Sequence, residues 1–233
     1  MRRPNLKPPV AAAALAALLC GGAALMARAA EPDVRLPAAK VDLPAASGPR
    51  SVVLAGGCFW GLQGMFEHIK GVTRVVSGYA GGDAATAHYR MVGTGSTGHA
   101  ESVKIDYDPA VVSYGQLLQV FFSTAHDPTQ VGGQGPDSGS QYRSTIFVAN
   151  DAERRVAADY IAQLGASGLL HGAITTTLEP LHGFYPAEDD HQDYLIHHPD
   201  SLYIVVNDAP KIRALHRVYP ELYRDQPVRI AAE

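Results

Sequence analysis

Cysteine is scarce in this chain, with two in 233 residues, Cys20 and Cys58. Two thiols cannot build a disulfide scaffold or a four-thiolate zinc site. Cationic runs are missing beyond the first few residues, and the net charge is −4. A nucleic-acid binder, which needs a basic face to meet phosphates, is therefore not expected. There is no internal repeat, and no low-complexity block after residue 30. The sequence has ten histidines but no His-Glu-x-x-His, and the neighbours His197 and His198 would point apart on a helix, so no metal is expected. What remains is a composition of 46% hydrophobic and 18% charged residues, which describes a globular protein of one full-sized domain or two small ones.

The first 29 residues are unlike the rest. Arg2, Arg3 and Lys7 precede an apolar stretch from Val10 to Met26, followed by Ala27-Arg28-Ala29, a small-x-small cleavage pattern. This is the layout of a secretory signal peptide, so an exported, periplasmic protein is expected. An uncleaved membrane anchor is the rival reading, although the stretch is near the lower limit for spanning a bilayer. Cleavage after Ala29 would remove Cys20 and leave Cys58 alone. A solitary thiol in an oxidising compartment needs either a burial reason or a chemical one. Residues 30–50 carry Pro32, Pro37, Pro44 and Pro49 and read as a linker. The domain is expected over 51–223, with a loose tail over 224–233.

Within the domain, the β-branched run Ser51–Ala55 predicts a buried strand stopped by Gly56-Gly57. Leu62, Met65, Phe66 and Ile69 recur at helical spacing and predict a helix over Cys58–Lys70 that Gly71 ends. Strands are expected at Val72–Tyr79, His99–Tyr107, Arg143–Ala149 and Ile174–Leu178. Helices are expected after Ser113, as an N-cap, then over Ala152–Leu164 capped by Asp151, and near Glu188–His197. Asp127–Gln141 reads as a long loop. The alternation predicts an α+β fold, a two-layer α/β sandwich on a mixed sheet arranged as a ferredoxin-like plait.

Gly56-Gly57-Cys58-Phe59-Trp60-Gly61 is the segment that carries chemistry. Its cysteine opens a helix, where unpaired N–H groups and the dipole favour an anion, so its pKa is expected to fall below that of a free thiol. The two glycines are expected to leave room for a substrate. Phe59 and Trp60, the only tryptophan, stand beside the sulfur. A buried structural cysteine with two core aromatics is the alternative.

Gly57-Cys58-Phe59-Trp60-Gly61 resembles the signature of the A-type peptide methionine sulfoxide reductases. The likeness continues in order through Tyr89-Arg-Met-Val92, Gly98-His99-Ala100-Glu101, Phe121-Phe122 with His126-Asp127-Pro128-Thr129, Gln134-Gly135-Pro136-Asp137, Gln141-Tyr142-Arg143-Ser144, and Ala187-Glu188 with His191-Gln192 and Tyr194-Leu195. It spans about residues 51–200. The resemblance implies that Cys58 is the nucleophile. It implies that Glu101 is the acid, if burial keeps it protonated, and that Tyr89 and Tyr142 donate to the sulfoxide oxygen. Phe59 and Trp60 would hold the S-methyl group, Asp137 would assist proton transfer, and His191 would support the site through a hydrogen bond. The implied reaction reduces the S epimer of methionine sulfoxide, free or in proteins, and leaves a sulfenic acid on Cys58. No cofactor is implied beyond an external thiol reductant, and a monomer is expected.

Two departures stand out. Many members carry a resolving cysteine after an Asn-Pro segment; here the comparable stretch, His198-Pro199-Asp200-Ser201-Leu202-Tyr203-Ile204, has Ile204 in that place. Asp190 also stands where the family has a tyrosine before His191-Gln192. An internal disulfide cannot then regenerate Cys58. An outside thiol must do so, of thioredoxin or glutaredoxin type; the missing resolving cysteine tells against thioredoxin as the direct reductant and leaves glutaredoxin-like, glutathione-like or exported thiol-carrier proteins. Two other functions use the same residues: a thiol peroxidase, and a non-catalytic domain that captures methionine-rich segments through Phe59 and Trp60.

Overall fold

The computed structural model describes residues 34–230. The signal-peptide reading therefore lies outside the described residues. The elements follow in chain order. Strand β1 (Arg50–Ala55) leads through Gly56-Gly57 into helix α1 (Phe59–Glu67), and strand β2 (Val72–Ala80) returns. The short helix α2 (Tyr89–Val92) precedes strand β3 (Ala100–Tyr107) and helix α3 (Tyr114–Val120), which widens into a π-turn over Phe121–Ala125. A small hairpin of β4 (Gly133–Gln134) and β5 (Asp137–Ser138) interrupts the expected long loop. Strand β6 (Thr145–Val148), helix α4 (Asp151–Ser167), strand β7 (Thr177–Pro180), strand β8 (Phe184–Pro186), and helices α5 (Tyr194–His197) and α6 (Ala209–Val218) complete it.

The sheet runs β7-β6-β1-β3-β2-β8. Its centre, β6-β1-β3-β2, is antiparallel, and β6 and β7 pair parallel, so the sheet is mixed. With α1 crossing from β1 to β2 and α3 from β3 to β6, this is the ferredoxin-like plait. The period-two alternation decides which side chain enters which core. Val52 and Leu54 of β1, with Val103, Ile105 and Tyr107 of β3, face the helices and join Phe59, Leu62, Met65 and Phe66 in the main core. Val53 and Ala55, with Ala80, Ala100 and Phe147, form a smaller cluster on the opposite face.

Several expectations need correction. The helix expected over Ala152–Leu164 is longer, and Asn150, not Asp151, is its N-cap; the Asn150 side chain accepts from the Glu153 amide. The strand expected at Ile174–Leu178 begins at Thr177. The helix expected near Glu188–His197 is a 3₁₀ turn, Asp189–His191, followed by the short α5. The stretch read as a linker is docked from residue 34 onward. Leu36 is buried, its carbonyl accepts from Gln119 Nε2 at 2.6 Å, and the Pro37 carbonyl accepts from the Tyr160 hydroxyl at 2.8 Å. Proline removes donors but leaves carbonyls, and α3 and α4 supply the donors that meet them. The tail is also fastened: the Val228 amide donates to the Glu67 carbonyl at 3.0 Å and the Ile230 amide to Asp193 Oδ2 at 3.2 Å.

Candidate active site

Cys58 is the N-cap of α1, free and 7% exposed. It sits there because β1 must turn sharply at its end. Gly57 makes the turn with φ +98°, and a Cβ on it would meet the Gln134 side chain at 2.7 Å. A Cβ on Gly56 would meet His126 and Phe121 at 3.0 Å. The two glycines therefore admit packed protein neighbours, which corrects the expectation that they clear a path for substrate.

Glu101 reaches this turn from β3. It shares the inward parity of Val103 and Ile105, and Val103 pairs with the next-to-last residue of β1, Leu54. Glu101 thus lies just past the end of β1, alongside the glycine turn, and its Oε2 accepts the Phe59 amide at 3.1 Å. Only 2% of it is exposed, and burial pushes its pKa up to about 8 against the pull of that amide. At neutral pH it is a protonated acid, able to donate.

Burial acts on the sulfur in the same direction. It pushes the Cys58 thiol well above its ordinary value, and the carboxylates of Glu101 and Asp208 push further. The Trp60 amide and Lys211 pull down and lose. The resting sulfur is a thiol, which corrects the expectation of a lowered pKa. One helix terminus cannot outweigh loss of water for a buried anion. Glu101 contributes to this push only when ionised, so below about pH 8 its share disappears.

Tyr89 opens α2 and Tyr142 closes a 3₁₀ turn, Ser140–Tyr142. The two turns are tied by Ser140 Oγ to the Gly95 carbonyl, 2.8 Å, and Gln141 Nε2 to the Gly93 carbonyl, 3.3 Å. Glu188 places Tyr89 by accepting its amide at 3.0 Å and the Tyr79 hydroxyl at 2.8 Å. Burial, then the charges of Glu101 and Cys58, push Tyr89 up to about 12. Burial and Glu101 push Tyr142 up as well. Both phenols stay protonated donors. Asp137, in β5, accepts the Tyr203 hydroxyl.

The aromatic wall is deeper than expected. Phe59 has no exposed surface; its ring lies 6.4 Å from those of Tyr89 and Trp60 and 5.6 Å from His191. It is the floor of the site, and Trp60 is the more exposed of the two aromatics. Trp60 is half-buried, stacks on Tyr194 at 3.8 Å and meets Tyr203 edge-on at 5.9 Å. Its Nε1 donates to His191 Nδ1 at 3.2 Å. His191 thus orients the indole from behind.

Cys58, Glu101, Tyr89, Tyr142 and Asp137 are close enough to act on one another's charge, with the Trp60–His191 pair beside them. Three neighbours went unnoticed in the sequence: Tyr203, Asp208 and Lys211. Tyr203 was passed over as a neighbour of the missing cysteine, and nothing local marks the other two. Among the described residues no group of three His, Cys, Asp or Glu is placed to hold a metal ion.

A family model described as peptide methionine sulfoxide reductase matches residues 50–222. The chain belongs to that family. It is 55% identical over 190 residues to peptide methionine sulfoxide reductase MsrA 2 of Mesorhizobium japonicum, covering 82% of this chain and 97% of that one. It is 50% identical over 181 residues to MsrA 2 of Synechocystis, covering 78% and 85%. Among solved structures it resembles methionine sulfoxide reductase A of Corynebacterium diphtheriae, with TM-score 0.56, 35% identity, and 73% and 86% of the two chains covered. It also resembles reduced Mxr1 of Saccharomyces cerevisiae, with TM-score 0.57, 32% identity, and coverage of 70% and 92%. As a member of the peptide methionine sulfoxide reductase family, the chain is an oxidoreductase that reduces methionine sulfoxide.

Proposed function

We propose that the chain reduces the S epimer of methionine sulfoxide, free or in proteins, at Cys58, and that an external thiol regenerates it. The observation that carries this reading is a buried Glu101 carboxyl, held on the Phe59 amide beside a free sulfur, with burial pushing its pKa up to about 8. Glu101 gives its proton to the sulfoxide oxygen, with hydrogen bonds from the Tyr89 and Tyr142 hydroxyls. That withdraws electrons from the sulfoxide sulfur, and Cys58 Sγ attacks it. The thiol proton returns to the Glu101 carboxylate. The S–O bond breaks, methionine leaves, and the hydroxyl passes to Cys58 as a sulfenic acid. Trp60 lies against the methyl group.

Ile204 is buried and brings no sulfur to the site. One external thiol condenses with the sulfenic acid, forming a mixed disulfide and water. A second displaces Cys58 as a thiol and leaves as a disulfide. Thioredoxin-, glutaredoxin- and glutathione-type thiols all satisfy this chemistry. The leader-like residues 1–29 support an exported, periplasmic setting, which N-terminal sequencing of the fractionated protein tests.

Mass spectrometry after one turnover without reductant tests the cycle. The expected result is one methionine per enzyme and one oxygen on Cys58, trapped by dimedone. Repeated turnover without added thiol overturns it.

A further inference from the structure

Asp208 is fully buried, just before α6, and the sulfoxide chemistry makes no use of it. Its Oδ1 pairs with Lys211 Nζ at 3.0 Å, while its Oδ2 is buried with no partner. Leaving an acceptor unpaired is expensive, and such groups repay explanation. The carboxylate is seated on the first turn of α1. An ideal Cβ on Gly61 would lie 2.0 Å from Oδ1 and 2.8 Å from Lys211 Nζ. Gly61 is the third residue after Cys58, and on a helix that position lies beside the N-cap side chain. The carboxyl is thus clamped against the turn that carries the reacting sulfur, with a partly exposed cation beside it; burial, and then the charge of Asp137, raise its pKa, and Lys211 pulls it back toward the charged form.

We propose that Asp208, with Lys211, is a positioning pair for Cys58 that keeps the waiting sulfur from reacting with oxidants other than its substrate. The inference rests on Cys58 being the reacting sulfur. Peroxide is attacked by thiolate: the O–O bond breaks, the sulfur takes one OH as sulfenic acid, and hydroxide leaves. A sulfur held as a thiol is spared. A sulfoxide is different, because Glu101 and the two phenols activate it in place. The groups acting on Cys58 from the packed elements are Glu101 of β3, Asp208 and Lys211 at α6, Tyr203, and the Trp60 amide of α1. Tyr89 and Tyr142 complete the ring of neighbours, and both are neutral at working pH.

The test is the pH dependence of Cys58 alkylation by iodoacetamide, read by mass spectrometry in the absence of sulfoxide. Asp208→Asn is expected to move the midpoint to lower pH, since Lys211 then acts unopposed. The thiolate fraction at neutral pH then rises about ten-fold per unit of midpoint shift, and alkylation and peroxide inactivation accelerate together by a smaller factor, since a thiolate of lower pKa is a weaker nucleophile. Adding Lys211→Met to Asp208→Asn is expected to move the midpoint back up. Asp208→Ser, which removes the carboxylate and leaves Lys211 in place, repeats the first shift should Asp208→Asn fold poorly. An unmoved or raised midpoint in Asp208→Asn overturns the pairing, as does no return on adding Lys211→Met. These readings need no sulfoxide turnover, so they stand apart from Cys58→Ser activity, which tests the reading beneath them.

Discussion

Helix α1 buries an acid at each end, and the two acids behave alike only in their pKa. At the N-terminal end Glu101 is pushed up to about 8 by burial. At the C-terminal end Glu67 is pushed up to about 10, first by burial and then by Asp193. Taken as a carboxylate, Glu67 has two buried oxygens with no hydrogen-bond partner; as a neutral acid it keeps its proton and donates a hydrogen bond to Asp193. Gln63 Nε2 and the Ile230 amide hold Asp193 in turn. That end is closed, with no sulfur beside the acid and the chain's own tail across it. The Glu101 end has a sulfur, two phenols and a half-buried indole. A raised carboxyl pKa records lost water; chemistry also needs a group to react with.

Substitutions can break or sharpen this contrast. Cys58→Ser is expected to reduce sulfoxide reduction to background, measured as methionine released from an S-sulfoxide peptide with excess dithiothreitol; retained activity would remove the chemical distinction between the two ends. Glu101→Gln should lower kcat/KM at neutral pH by about a hundred-fold or more, the usual worth of a positioned acid. In the parent enzyme activity should fall as pH rises through about 8, because the acid loses its proton there. That fall should vanish in the Gln variant.

Glu67→Gln should leave activity near that of the parent and act on stability. The folded state binds a proton on Glu67 that the unfolded chain releases near 4.5, so stability is full below that pH and declines as pH rises toward about 10. Melting temperatures across this range should decline less steeply in Glu67→Gln. A large activity loss in that variant would mean that the closed end is coupled to the reacting one.

Local patterns made β1, α1, β2, β3, α3 and β6 readable, since each has its own run of apolar residues and a stop. The capping box Ser113–Gln116 is local in the same sense. The missed pieces have no such signal. Strand β8, Phe184–Pro186, exists because β2 offers it an edge, and α5 is one turn whose Tyr194 is held by Trp60. Leu36 sits in a proline-rich stretch and is fastened by partners more than eighty residues away: Gln119 Nε2 donates to its carbonyl, and its amide donates to Ser123 Oγ. At the site, motif order identified Cys58, Glu101, Tyr89, Tyr142 and Asp137 as candidates. The inward parity of Glu101 was present in the alternation of β3. The depth of Phe59 was not legible, because adjacency to Cys58 in sequence says nothing about burial.

The amino-acid sequence by itself determined that one sulfur sits at the mouth of a helix, in a chain whose ordered motifs belong to a sulfoxide reductase, and that no resolving thiol follows it. Only the tertiary structure decided the charge on that sulfur. The helix end that favours an anion is local, within one turn, whereas the loss of water and the carboxylates of Glu101 and Asp208 come from segments far along the chain. Electrostatic free energy depends on distance through space and on the surrounding dielectric, and neither exists until the chain has folded.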